Sequence, residues 1–123
     1  MQNKKLRVLI VDDSELVIKK IKELLEGCEC IDQIITATSY QRAVELIDLE
    51  KPDIVLLDIS LPFKSGIDVL YYIKTKSYLT RIVMVTNHAG DYYKDLCFKL
   101  GADYFIDKSK HFDTLPVIIS SVN

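Results

Sequence analysis

Short apolar runs alternate with amphipathic segments along the whole chain. The runs fall at residues 6–11, 34–37, 54–57, 82–85 and 104–106. The first, third and fourth are nearly continuous Val, Ile and Leu, the pattern of strands covered on both faces. Between the runs, apolar residues recur at helical spacing. Val17, Ile21 and Leu24 share one face, as do Ala43, Val44 and Ile47, and then Ile67, Leu70 and Ile73. Tyr93, Cys97 and Leu100 form a fourth stripe, and Leu115, Ile118, Ile119 and Val122 a fifth. Ser14 and Ser39 stand where N-caps belong, Gly27 and Gly101 where helices stop, and Pro116 in the first turn of the last helix.

Five strand–helix units in series predict an α/β fold: a doubly wound, flavodoxin-like, five-stranded parallel sheet with helices on both faces. Strands two and five carry the most polar residues and belong at the edges. Right-handed crossovers then give the order 2-1-3-4-5, with the ligand site at the carboxyl edge between strands one and three.

Composition narrows the class. With 123 residues and no low-complexity stretch or linker, one domain over 1–123 is expected. A hydrophobic content of 49% with 28% charged residues fits a soluble globular protein. The net charge of −2 shows no basic stripe, so no direct nucleic-acid contact is expected. No apolar run reaches membrane-span length, and the opening residues run into acids too early for a signal peptide, so the expected location is cytoplasmic with no membrane partner. Cys28, Cys30 and Cys97 are odd in number. Cys28 and Cys30 could offer two zinc ligands, but nothing completes a site, and packed thiols are the simpler reading.

The predicted carboxyl edge collects chemistry from distant parts of the chain. Strand one ends in Asp12-Asp13, strand three in Asp58, strand four in Thr86-Asn87, and strand five in Asp107-Lys108. Three carboxylates in one place repel one another unless a cation is present, and magnesium suits such oxygen donors. Asp58 then reads as a nucleophile toward phosphorus, with the Lys108 ammonium and the Thr86 hydroxyl beside the transferring oxygens. Singly, each residue has a plainer role: a strand-end aspartate caps a helix, and a lone lysine is solvated surface. The combination at one rim favours chemistry.

Those residues resemble the receiver domain of two-component response regulators over essentially the whole chain. The resemblance rests on VLIVDDS at 8–14, LLDISLP at 56–62 followed by Gly66, MVTN at 84–87, and GADYFIDK at 101–108. It implies that Asp58 is the phosphoacceptor. It also implies that Asp12, Asp13, Asp58 and the Ser60 backbone carbonyl hold Mg2+. Thr86 becomes the switch hydroxyl, Lys108 the phosphoryl-binding lysine, and Phe105 the switch aromatic. The implied donor is a sensor histidine kinase or phosphotransfer protein, and the output is an unidentified downstream protein. The implied homodimer face is helix four, strand five and helix five, where Tyr92 and Phe98 fall off the buried stripe. Catalysis would be limited to the chain's own phosphorylation and dephosphorylation.

Two positions depart from the family pattern. Ser109 follows Lys108 in place of a proline with a cis peptide bond. A cis non-proline bond costs roughly 2.5–4 kcal/mol, so the Lys108 loop is expected to be trans, looser or strained. Asn87 replaces a small residue after the switch hydroxyl, and with His88 and Ser60 nearby a changed phosphoryl lifetime is expected. The alternative reading is a degenerate receiver that binds partners without phosphorylation. A haloacid-dehalogenase-type phosphatase fits worse, because residue 14 is serine and no cap domain is present. Nucleotide binding lacks any glycine-rich loop. With no effector domain after Asn123, a stand-alone receiver is the direct expectation, and a receiver cut from a longer transcription factor or hybrid kinase would look the same.

Overall fold

The computed structural model describes residues 5–122. The ends of the expected 1–123 unit, residues 1–4 and 123, lie outside the described residues. Strands β1 (Leu6–Val11), β2 (Ile31–Ala37), β3 (Ile54–Leu57), β4 (Arg81–Thr86) and β5 (Tyr104–Asp107) alternate with five helices. These are α1 (Glu15–Leu25), α2 (Tyr40–Glu50), α3 (Gly66–Thr75), α4 (Asp91–Lys99) and α5 (Leu115–Val122). The strands form one parallel sheet in the order β2-β1-β3-β4-β5, as the burial argument requires.

Strand alternation divides the core in two. Leu9, Val11, Val55, Leu57, Ile82 and Met84 point to one face, where Ala43, Leu46, Ile47, Val69, Leu70, Ile73 and Cys97 from α2, α3 and α4 cover them. Val8, Ile10, Ile54, Leu56, Val83 and Val85 point to the other face, under Ile18, Ile21, Leu25, Leu115 and Ile119 from α1 and α5. Each such side chain, fully buried, contributes about 1.5–3 kcal/mol, so both faces of the central strands hold the sheet in place.

The helix ends follow local chemistry. The Ser14 side chain accepts from the Val17 N–H, and the Ser39 side chain from the Arg42 N–H. Gly27 and Gly101 adopt the left-handed backbone that ends a helix cheaply only at glycine, with φ of 83° and 108°. Three details differ from the expectation. On α1 the fully buried face is Ile18, Ile21 and Leu25, with Val17 and Leu24 half-buried at its margin. On α2 Leu46, and on α3 Val69, complete faces predicted around Val44 and Ile67, which are half-buried. β2 also begins earlier than expected, at Ile31, because edge-strand pairing recruits Ile31 and the exposed Gln33, with Asp32 between them at a register shift.

Candidate functional site

Parallel strands end on the same edge, and each expected site residue is at or next to such an end. Asp12 and Asp13 follow β1, Asp58 follows β3, Thr86 closes β4, and Lys108 follows β5. Backbone bonds fix the first of these: the Asp12 N–H donates to the Ala37 carbonyl, and the Asp58 N–H to the Val11 carbonyl. Carboxylate oxygens of Asp12, Asp13 and Asp58 lie within 4.8 Å of one another. Asp12 and Asp58 are nearly buried, at 2% and 5% exposure, while Asp13 is exposed. Lys108 Nζ lies 2.6 Å from Asp12 Oδ2 and 3.0 Å from Asp58 Oδ2. The structure therefore brings Asp12, Asp13, Asp58 and Lys108 into one cluster.

The Lys108 ammonium group bonds two of the three carboxylates, and the electrostatics reflect the shortfall. Burial raises the Asp12 pKa above the ordinary carboxylate value, and the nearby Asp58 charge adds to the rise. Bonds from Lys108 and from the Ser14 N–H offset this only in part. For Lys108, burial pulls the pKa down, but its bonds to Asp12 and Asp58 outweigh that together and leave it raised. Three clustered hard oxygen donors, short of positive charge, fit a magnesium ion. Asp12, Asp13 and Asp58 would hold it. Among the described residues no other group of three His, Cys, Asp or Glu ligands converges, so Cys28 and Cys30 find no third partner. All three cysteines are free, and burial pushes the Cys97 thiol up to about 11.

The remaining expected residues surround this cluster. Ser60 is exposed two residues beyond Asp58, and its N–H donates to Asp58 Oδ1 at 3.3 Å. Thr86 is fully buried, and its hydroxyl accepts the His88 N–H at 3.1 Å. Phe105 pairs in register with Met84, so it shares a sheet face with Thr86, two residues along β4. It is half-buried and lies 6.4 Å, centroid to centroid, from the ring of the exposed Phe98 on α4. Tyr92 is exposed as well.

Two contributors noted in the sequence take their physical reason only from three dimensions. A Cβ on Gly66 would fall 1.8 Å from the Asp58 carbonyl oxygen, so α3 can begin against the residues after β3 only with glycine there. The Gly66 N–H donates to the Ile59 carbonyl at 2.7 Å, which closes the Asp58 loop. A fixed spacing of eight residues after the aspartate was the available signal. The second contributor is the loop after β5. Its Lys108–Ser109 bond is trans, since no described peptide is cis, and the Asp107 side chain bonds Ser109.

The family model described as response regulator receiver domain matches residues 8–120. The alkaline phosphatase synthesis transcriptional regulatory protein PhoP of Bacillus subtilis is 33% identical over 102 residues, covering 83% of this chain and 42% of that protein. A protein-glutamate methylesterase/protein-glutamine glutaminase of Clostridium acetobutylicum is 34% identical over 106 residues, 85% of this chain and 31% of that protein. The chain thus spans less than half the length of either relative. Among solved structures, the response regulator domain of Thermotoga maritima CheB superposes with a TM-score of 0.83 at 28% identity, covering 97% of this chain and 94% of that one.

Proposed function

The chain belongs to the response regulator receiver domain family, and we propose on that premise that Asp58 accepts a phosphoryl group and so switches a protein-interaction surface. The observation that carries this reading is Lys108 Nζ between Asp12 and Asp58, at 2.6 and 3.0 Å, beside the third carboxylate of Asp13. An Asp58 oxygen attacks the phosphorus. The bond from phosphorus to the donor breaks, and its electron pair leaves with the donor, a phosphohistidine on a sensor kinase or phosphotransfer protein. Lys108 meets the charge that develops on the transferring oxygens. Magnesium held by Asp12, Asp13, Asp58 and the Ser60 carbonyl would neutralise more of that charge. The chain catalyses only its own phosphorylation and dephosphorylation, acting as one receiver unit in the cytoplasm. Among the described residues no helix is long and apolar enough to cross a membrane.

The switch follows from the positions of Thr86 and Phe105. The phosphoryl group offers new acceptor oxygens at the rim. The Thr86 hydroxyl turns toward them and leaves the His88 N–H, and Phe105, on the same sheet face, moves into the space vacated. The surface of α4, β5 and α5, which carries Tyr92 and Phe98, then presents a changed shape to a downstream protein or a second copy of the chain. Moving such an equilibrium from mostly off to mostly on needs about 5.5 kcal/mol of differential stabilisation. Asn87, His88 and Ser60 at the rim set the phosphoryl lifetime.

The test is intact-mass spectrometry after incubation with acetyl phosphate and magnesium. A phosphate-sized gain, lost in Asp58→Asn and in chelator, is the expected result. No gain in the wild-type chain would leave a receiver that acts without phosphorylation.

A further inference from the structure

Lys108 is a long, flexible side chain, yet it is held against two carboxylates with its side chain 11% exposed. Something must aim it. The backbone bonds around it do only part of this. Upstream, the Lys108 N–H donates to the Thr86 carbonyl at 3.0 Å. Downstream, the Asp107 carbonyl accepts from the Lys110 and His111 N–H groups at 3.1 and 2.9 Å. Together these bonds close a turn over Lys108 and Ser109, whose peptide is trans and has no proline-like lock.

The Asp107 carboxylate adds a second constraint on the same turn. Its Oδ1 accepts both the Ser109 N–H, at 2.9 Å, and the Ser109 hydroxyl, at 2.6 Å. These two bonds bracket Lys108 in sequence. Holding the Ser109 N–H sets ψ of Lys108, and the Thr86 bond restrains the other side of the same residue. The direction in which the Lys108 side chain leaves the backbone is then determined. The two bonds to Ser109 also hold the Asp107 carboxyl below the ordinary carboxylate range, so it is ionised and a strong acceptor near neutral pH.

We propose that Asp107 and Ser109 are positioning residues, which together aim the Lys108 ammonium at Asp12 and Asp58. A proline at 109 would remove both donors, so this loop reaches the aim by a different route from the proline pattern its relatives suggested. The proposal deepens the reading of Asp58 as phosphoacceptor and rests on it for its consequence, though not for its geometry.

The experiment measures acylation of each lysine by a water-soluble amine reagent in metal-free buffer, resolved by peptide mass spectrometry. Lys19 and Lys94, both exposed, serve as references. Cys97, at 0% exposure, reports through its unreactivity to alkylation that the fold is intact. Wild-type Lys108 is protected relative to the references. Asp107→Ala raises its labelling about tenfold, the factor expected for losing a charge-assisted hydrogen bond, and Ser109→Ala raises it less. Ser109→Thr, which keeps both donors, restores protection. The same variants slow acyl-phosphate formation from acetyl phosphate in the same order, because misplacing a charged group by about 1 Å can lower a rate by up to 100-fold. Wild-type labelling of Lys108 in Asp107→Ala, with Cys97 still unreactive, would overturn the proposal. A wild-type chain that takes up no phosphoryl group would instead overturn the functional reading, while the labelling still decides the aim of Lys108.

Discussion

Two carboxylates at opposite ends of the sheet show what each end is built for. At the carboxyl edge, Asp12 is nearly buried beside Asp58 and Asp13, and its pKa is raised by burial. At the amino edge, where α2 and α3 end, Asp48 accepts from the Tyr72 hydroxyl and, at 2.7 Å, from the Tyr78 hydroxyl. These bonds lower the Asp48 pKa, and the same contact pushes Tyr72 up to about 12. Asp48 is matched to its surroundings and fastens α2 to α3. Asp12 is mismatched, and under the proposed function that mismatch is what a cation and a phosphoryl group would relieve. Functional sites commonly carry such local conflict, while structural contacts resolve it.

The sharpest way to break the comparison is to remove the one ammonium group that, among the described residues, is bonded to the rim acids. Lys108→Ala leaves two buried carboxylates facing each other and should lower stability by about 3 kcal/mol in metal-free buffer. Urea titration measures this, and added magnesium should recover part of the loss by binding the folded chain. Gly66→Ala comes next. The new methyl meets the Asp58 carbonyl, so overpacking should cost about 2–3 kcal/mol and slow acyl-phosphate formation as well, leaving the Asp48 contacts untouched.

Sequence reading reached most of this because burial writes itself into composition. β1, β3 and β4 are continuous apolar runs since both faces are covered, and that contrast with the more polar β2 and β5, with right-handed crossovers, ordered the sheet. The strand-end acids were legible for the same reason, as charges abruptly following such runs. Contacts among partly exposed residues left fainter marks. The first half of β2 is held by pairing of Ile31 and Gln33, not burial, so the apolar run begins only at residue 34. The Ser65–Asp68 capping box and the short turn of 3-10 helix at Phe112–Thr114, before α5, went unseen. Ser109 drew notice only as a missing proline, because its partnership with Asp107 depends on a turn that no periodicity reports. Gly66 stood in a motif without its reason, the close approach to Asp58.

A smaller effect separates the switch from the chemistry. Thr86→Ala should leave Asp58 able to take a phosphoryl group, with a rate change of only a few fold, while partner binding or dimer formation through α4, β5 and α5 no longer responds to it. Size-exclusion chromatography with and without acetyl phosphate reads that loss of coupling.

The smallest effect tests the quiet end of the molecule. Tyr72→Phe should lower Tm slightly, with acyl-phosphate formation unchanged. The pH dependence has two limbs. A raised Tyr72 pKa contributes stability that is complete below the ordinary tyrosine value and disappears as pH rises through about 12. A lowered Asp48 pKa contributes stability that is complete above the ordinary carboxylate value and disappears as pH falls through the folded one. The Tm difference between wild type and Tyr72→Phe should therefore be level from roughly pH 5 to 9 and shrink at both extremes. Thermal scans across that range check it.

The central claim is that Asp58, among several acids at one rim, is the residue that takes the phosphoryl group. Borohydride reduces an aspartyl phosphate to homoserine, so treating the acetyl phosphate-loaded chain and sequencing its peptides by mass spectrometry locates the acceptor. Homoserine at position 58 alone is the predicted result. Homoserine at position 12, 13 or 107, or at none of them, would contradict the account.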